Sequence, residues 1–157
     1  MKTHSFQAGK YDFSIQTPND WLSTTESGTP ILRARDAKLL MSAKDSLFSP
    51  AVNLLTAPIQ KPVGDTQTFV NEWFEGVPIE TMFPRFRLLS HRASRVSNSP
   101  AARFEFEFEK ANHKWFAITL VVSDGQSVHV LDGSFLSSDR PAWHSVVNDI
   151  LDSFRIS

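Results

Sequence analysis

Three carboxylates at alternate positions, Glu105, Glu107 and Glu109, interleave with Phe104, Phe106 and Phe108 and are the first residues in this chain that could do chemistry. Hydrolytic carboxylate pairs face each other across a cleft in differing environments, whereas alternate residues of a strand project side by side from one face. The ladder therefore reads as a solvated or salt-bridged face, with an acidic docking strip for a basic partner as an intermediate reading. Five histidines, His4, His91, His113, His129 and His144, include no pair at metal-ligand spacing. His144 lies near Asp149, Asp152 and three serines, Ser137, Ser138 and Ser145, but Gly-x-Ser-x-Gly is absent and adjacent helix positions point apart. With no cysteine the chain has no thiolate site, disulfide or cysteine nucleophile. Gly64, Gly76, Gly125 and Gly133 are isolated, so no glycine-rich phosphate cradle is present. From these residues we expect no catalytic group, no metal and no cofactor.

A different kind of site is suggested by Val77–Arg87, where Ile79, Met82, Phe83 and Phe86 crowd a stretch interrupted by Pro78 and Pro84. No regular face buries all four. The segment is either a core-lining loop or an adaptable Met/Phe contact surface rimmed by Arg85 and Arg87.

The rest of the chain must position these groups. At 157 residues, 41% of them hydrophobic and with thirteen Phe and four Trp, it has the material for one domain with a sizeable core, spanning residues 1–157. A net charge of -1 and scattered Lys and Arg argue against a nucleic-acid partner. The N-terminus, Met1–Lys10, has no apolar run of the secretory kind, and no charge-free window reaches membrane-spanning length. A cytoplasmic location without membrane insertion is the expectation.

Tyr11–Thr17 alternates, with Tyr11, Phe13 and Ile15 on one face, and reads as a first strand. Pro30 to Ser46 favours strands over a short helix. Ala51–Pro58 is another strand, bounded by prolines. Asp65 or Thr66 caps a helix through Thr68–Glu75 that stops near Gly76 to Pro78. Leu88–Val96 is a strand and Ser97–Pro100 a turn. A hairpin centred on Asn112 would set Phe108 opposite Phe116, Phe106 opposite Ile118 and Phe104 opposite Leu120, with Glu109, Glu107 and Glu105 beside Trp115, Ala117 and Thr119. A loop at Ser123–Gly125 would place Val128 opposite Leu120 and Val130 opposite Ile118. Ser138 or Asp139 then caps a closing helix whose apolar face is Trp143, Val146, Val147, Ile150, Leu151 and Phe154.

In that order of elements, Tyr11–Trp21, Val52–Leu55 and Ile150–Arg155 resemble the PsbP-like superfamily, which takes in photosystem II PsbP proteins, DcrB-like proteins, Ran-binding Mog proteins and Eag-type secretion chaperones. The resemblance covers nearly the whole chain through fold markers. It implies an α+β domain, an antiparallel sheet with helices on both faces in an α/β/α sandwich, and a binding or accessory role without enzymatic activity. The chain departs from the exported branches in lacking a lipoprotein cysteine, and it carries no Ran-binding motif.

Two functions follow as expectations. The first is a non-enzymatic intracellular module that binds another protein, as a secretion-associated chaperone or adaptor, with a homodimer as a further option. The second is a small enzyme or apolar-ligand carrier with a pocket between sheet and helix. A pocket holding convergent polar groups and a buried ionisable residue would favour the second.

Overall fold

The computed structural model describes residues 1–26, 29–33, 50–61 and 63–157. Among the described residues, ten strands form two antiparallel sheets. The smaller joins β1 (Lys2–Ala8), β2 (Tyr11–Thr17) and β10 (Arg155–Ile156) in the order β1-β2-β10. The larger has seven strands in the order β3-β4-β5-β9-β8-β7-β6. Its strands are β3 (Leu22–Glu26), β4 (Thr29–Arg33), β5 (Ala51–Pro58), β6 (Arg87–Val96), β7 (Ser99–Lys110), β8 (His113–Ser123) and β9 (Ser127–Leu136).

Tyr11, Phe13 and Ile15 are buried on one face of β2, as the alternation implies. The strand is not the first, however, because β1 precedes it, and it belongs to a sheet separate from the large one. Of the stretch Pro30 to Ser46, the first four residues lie in β4; 34–46, with Lys38–Ala43, lies outside the described residues.

The central strands β7 and β8 of the large sheet are buried on both faces, and the two covers are unequal. On one side lie α3 (Arg140–Asp152) and the small sheet, closing a core of Phe13, Trp21, Phe116, Ile118, Leu120, Phe135, Ile150 and Phe154 among others. Val147, Ile150 and Leu151 carry the buried stripe of α3, while Trp143 and Val146 pack against its margin. At Gly133 the helix packs close on the sheet. A Cβ there would stand 2.5 Å from Val147 Cγ1, nearer than real Cβ contacts allow.

Among the described residues the cover on the other side is thin, consisting of α1 (Thr66–Asn71), a 3-10 turn (Trp73–Gly76) and α2 (Ile79–Met82). Asp65 caps α1, its Oδ2 accepting from the Thr68 amide at 2.9 Å and the Thr68 hydroxyl at 2.8 Å. These bonds hold the Asp65 carboxyl below its ordinary pKa. Val70 of α1 packs there with Ala102, Phe104, Phe106, Phe108, Ala117, Val121 and Val128 of the sheet.

Both hairpin registers differ from those expected, for reasons of turn chemistry. Ala111 and Asn112 both have positive φ, 53° and 63°, so β7 and β8 meet in a two-residue turn with Lys110 opposite His113. Phe104, Phe106 and Phe108 then face Thr119, Ala117 and Trp115, not Leu120, Ile118 and Phe116. Glu105, Glu107 and Glu109 accordingly sit beside Ile118, Phe116 and Lys114, on the α3 side of the sheet. A one-residue slip moves every side chain to the other face. At the next turn Gly125 does take positive φ, 89°, but Ser123 pairs with Val128, so Leu120 faces Leu131 and Val121 faces Val130. Asp124 Oδ1 organises that loop by accepting from the Gln126 and Ser127 amides at 2.8 and 3.0 Å. Tyr11 donates to its Oδ2 at 2.7 Å, tying the small sheet to the hairpin.

Candidate functional site

Because adjacent strands are in register, the face under the thin cover can be read row by row. One row runs Asn53 (β5), Asp132 (β9), Thr119 (β8), Phe104 (β7) and His91 (β6). The next runs Ala51, Ser134, Ala117, Phe106 and Leu88. Towards β5 and β9 the first row is polar and the second small, so large aromatic packing stops there and a hollow opens.

The hollow is a cleft of two adjoining compartments. One, of about 390 Å³, is lined by Asn53, Met82, Phe83, Phe108, Lys110, Ala111, Trp115, Asp132 and Ser134. The other, about 210 Å³, shares Asn53, Met82, Phe83 and Asp132 and adds Leu55, Trp73, Phe74, Thr119 and Val130. The floor is sheet, and the roof is the segment running from the 3-10 turn through α2. Aromatic contacts fix that roof. Phe74 stands 4.7 Å from Phe104, and Phe83 stands 4.9 Å from Phe106 and 5.0 Å from Phe108, ring centre to ring centre.

Asp132 is the polar centre of the floor. The Thr119 hydroxyl donates to its Oδ1 at 3.0 Å, the one hydrogen bond it makes among the described residues. Burial in apolar surroundings penalises the carboxylate more than that bond favours it, and the pKa is pushed up to about 6. Lys110 is the other charged residue lining the cleft among those described, and it is exposed.

The residues singled out in the sequence are placed as follows. Phe83 and Phe86 are half-buried, with Phe86 4.9 Å from Phe106, and so line the core. Met82 is 51% exposed at the cleft, and Ile79 is half-buried. The four therefore form no continuous exposed surface, because Phe74, Phe106 and Phe108 supply a second aromatic layer that absorbs two of them. Arg85, at φ 58°, pairs with Glu109 at 3.4 Å. Arg87 pairs with Glu107 at 2.6 Å.

The glutamates do not make a free acidic strip, since each has a partner. Glu105 Oε1 is 3.0 Å from His144 Nε2. Glu107 accepts from Arg87 and, at 3.1 Å, from the Ser137 hydroxyl, with Lys114 at 3.4 Å. Burial opposes ionisation of Glu107, but these partners outweigh it and hold its pKa below the ordinary carboxylate value. The salt-bridged reading of the ladder is the one realised.

Nothing in the sequence marks Asp132, because a lone aspartate in Leu131–Asp–Gly–Ser134 has no motif around it. Strand alternation would have placed it opposite Leu131 and beside Val130, on a face meant to be buried. Its partners come from strands separated in sequence, and only the register brings them together.

The sheet order, the closing helix and the small N-terminal sheet together define the PsbP-like fold. Nearly the full length aligns with cyanobacterial PsbP (CyanoP) of Synechocystis sp. PCC 6803, covering 99% of this chain and 92% of that one with a TM-score of 0.65 at 14% identity. LpqN of Mycobacterium tuberculosis, a protein involved in cell envelope biogenesis, matches with a TM-score of 0.72 at 15% identity over 99% and 91% of the two chains. PA94 of Pseudomonas aeruginosa, of unknown function, matches with a TM-score of 0.63 at 10% identity over 96% and 94%. No family model and no curated protein sequence matches the chain. These likenesses are of fold. Among the described residues, no helix is long and apolar enough to cross a membrane.

Proposed function

We propose that this single α/β/α-layered domain is a non-enzymatic binding protein that receives a small apolar ligand in the cleft over Asp132. The observation that carries the reading is a half-buried carboxylate placed among aromatic walls where, among the described residues, the packing over the sheet is interrupted. A pocket with convergent polar groups and a buried ionisable residue is the feature that separates a ligand carrier from a protein-docking module. The larger compartment is within the size range of small-molecule sites, roughly 300–1,000 Å³. One carboxylate bonded to one hydroxyl anchors a ligand, whereas hydrolysis calls for two groups in contrasting environments. A likeness to a protein of cell envelope biogenesis is in keeping with an accessory role.

The test is calorimetric titration with phenylbutanol, a slender neutral probe. Saturable one-to-one binding is expected, and Ser134→Phe, which fills the larger compartment from its floor, should abolish it while leaving the thermal melt cooperative. Binding that survives Ser134→Phe would place the ligand elsewhere.

Protein binding, as a chaperone or adaptor, keeps a separate supporting observation. Among the described residues β6 is an edge strand, and it exposes Leu88 and Leu89, a geometry suited to strand addition. Leu88→Lys and Leu89→Lys should then weaken partner capture or self-association without touching phenylbutanol binding.

A further inference from the structure

We infer that the ligand carries a single ammonium group on its apolar body, the ammonium seating on Asp132 among Asn53, Thr119 and the aromatic walls. This rests on the cleft being the binding site.

The argument is one of charge and donors. The cleft face meets Asp132 from four directions. β5 presents Asn53, β8 presents Thr119, the end of β7 presents Lys110, and the roof presents Trp73, Phe74, Met82 and Phe83. Asp132 is the charge at the centre of that floor, and Lys110 is exposed at its margin. A carboxylate held in apolar surroundings is stabilised by a donor that brings positive charge, and the Thr119 hydroxyl supplies a donor without charge.

An ammonium has three hydrogens to give and nothing to accept. Asp132 accepts one. Asn53, directly across the ladder, and Thr119 offer oxygens for the others. Trp73, Phe83, Phe108 and Trp115 are among the residues lining the two compartments, and aromatic rings attract cations most strongly where water is excluded. An anionic head would meet Asp132 with like charge in a poorly solvated place. A second cationic head, toward the rim, would meet Lys110. One ammonium and an apolar remainder suit Asp132, Asn53, Thr119 and the aromatic lining.

The experiment compares three probes that differ only at the head, phenylbutylamine, phenylbutanol and phenylbutyrate, by calorimetry at pH 7.5 on the full chain and on Asp132→Asn. Hydrogen bonds to charged groups carry enough free energy that the amine should bind about tenfold tighter than the alcohol or better, with the carboxylate weakest. Asp132→Asn should bring amine and alcohol level. In the unaltered protein, amine affinity should fall as pH drops below about 6, when Asp132 takes up its proton, and alcohol affinity should not.

Amine and alcohol binding equally in the unaltered protein would overturn the ammonium inference and leave the cleft reading standing. So would phenylbutyrate binding tightest, which would make Lys110 the selecting group. Binding of none of the three would bring down the cleft reading itself.

Discussion

Asp132 costs the fold stability at neutral pH, and replacing it should show how much. Its carboxyl is raised from 3.8 to about 6, so the native state holds a proton more firmly than the unfolded chain between those values. Stability from this group is therefore greatest below about 4 and declines as pH rises through 6. Two pKa units at 1.36 kcal/mol each give a ceiling of about 3 kcal/mol. The side chain is half-buried, not sealed, so the realised figure should be nearer 1–2 kcal/mol. Asp132→Asn is nearly isosteric and keeps an oxygen for the Thr119 hydroxyl. At pH 7.5 it should melt about 3–6 °C higher than the unaltered protein. At pH 4 the gap should close, because the aspartate is then mostly neutral. The assay is calorimetric melting of both proteins across pH 4–8. An asparagine variant less stable at pH 7.5, or a gap that does not change with pH, would refute the claim that burial of this carboxylate is uncompensated. A residue that weakens the fold in its resting form is what a binding site tends to contain.

Other substitutions test the surrounding structure. Gly133→Ala should destabilise by about 1–3 kcal/mol through collision with Val147, and Val147→Ala in the same chain should recover part of the loss in a denaturant titration. Ala111→Gly should stabilise by up to about 1 kcal/mol, since alanine sits at φ 53° in a turn where glycine is unstrained; an unchanged or lower midpoint would dispute the two-residue turn. Phe83→Ser should cost roughly 2–3 kcal/mol while Met82→Ser costs under about 1, because the first packs edge-to-face in the aromatic layer and the second is 51% exposed. Equal losses in urea melts would contradict the roof as described.

What the sequence revealed follows the range of the interactions involved. The closing helix was legible because Val147, Ile150, Leu151 and Phe154 repeat at helical spacing, and β2 because Tyr11, Phe13 and Ile15 alternate. The Asp65 cap was legible for the same local reason. The β7–β8 register was not, because nothing marks Ala111 as a residue with positive φ; a turn of two residues rather than three carries Glu105 and Glu107 to the opposite face. Their partners His144, Arg87 and Ser137 come from three distant elements, so a salt-bridged face was readable as a type but not as a set of pairs. The cleft was hidden for a further reason. Met82 and Phe83 were visible as an excess of apolar groups, but the Asn53, Asp132 and Thr119 row beneath them exists only once β5, β9 and β8 are aligned.

The most direct measurement of the central claim is the methyl resonance of Met82 in protein labelled at methionine methyl groups, followed while phenylbutanol is added. Met82 lines both compartments, so its methyl should shift saturably with the affinity found by calorimetry, and Ser134→Phe should remove the shift. A Met82 methyl that stays in place while calorimetry registers binding would contradict the account.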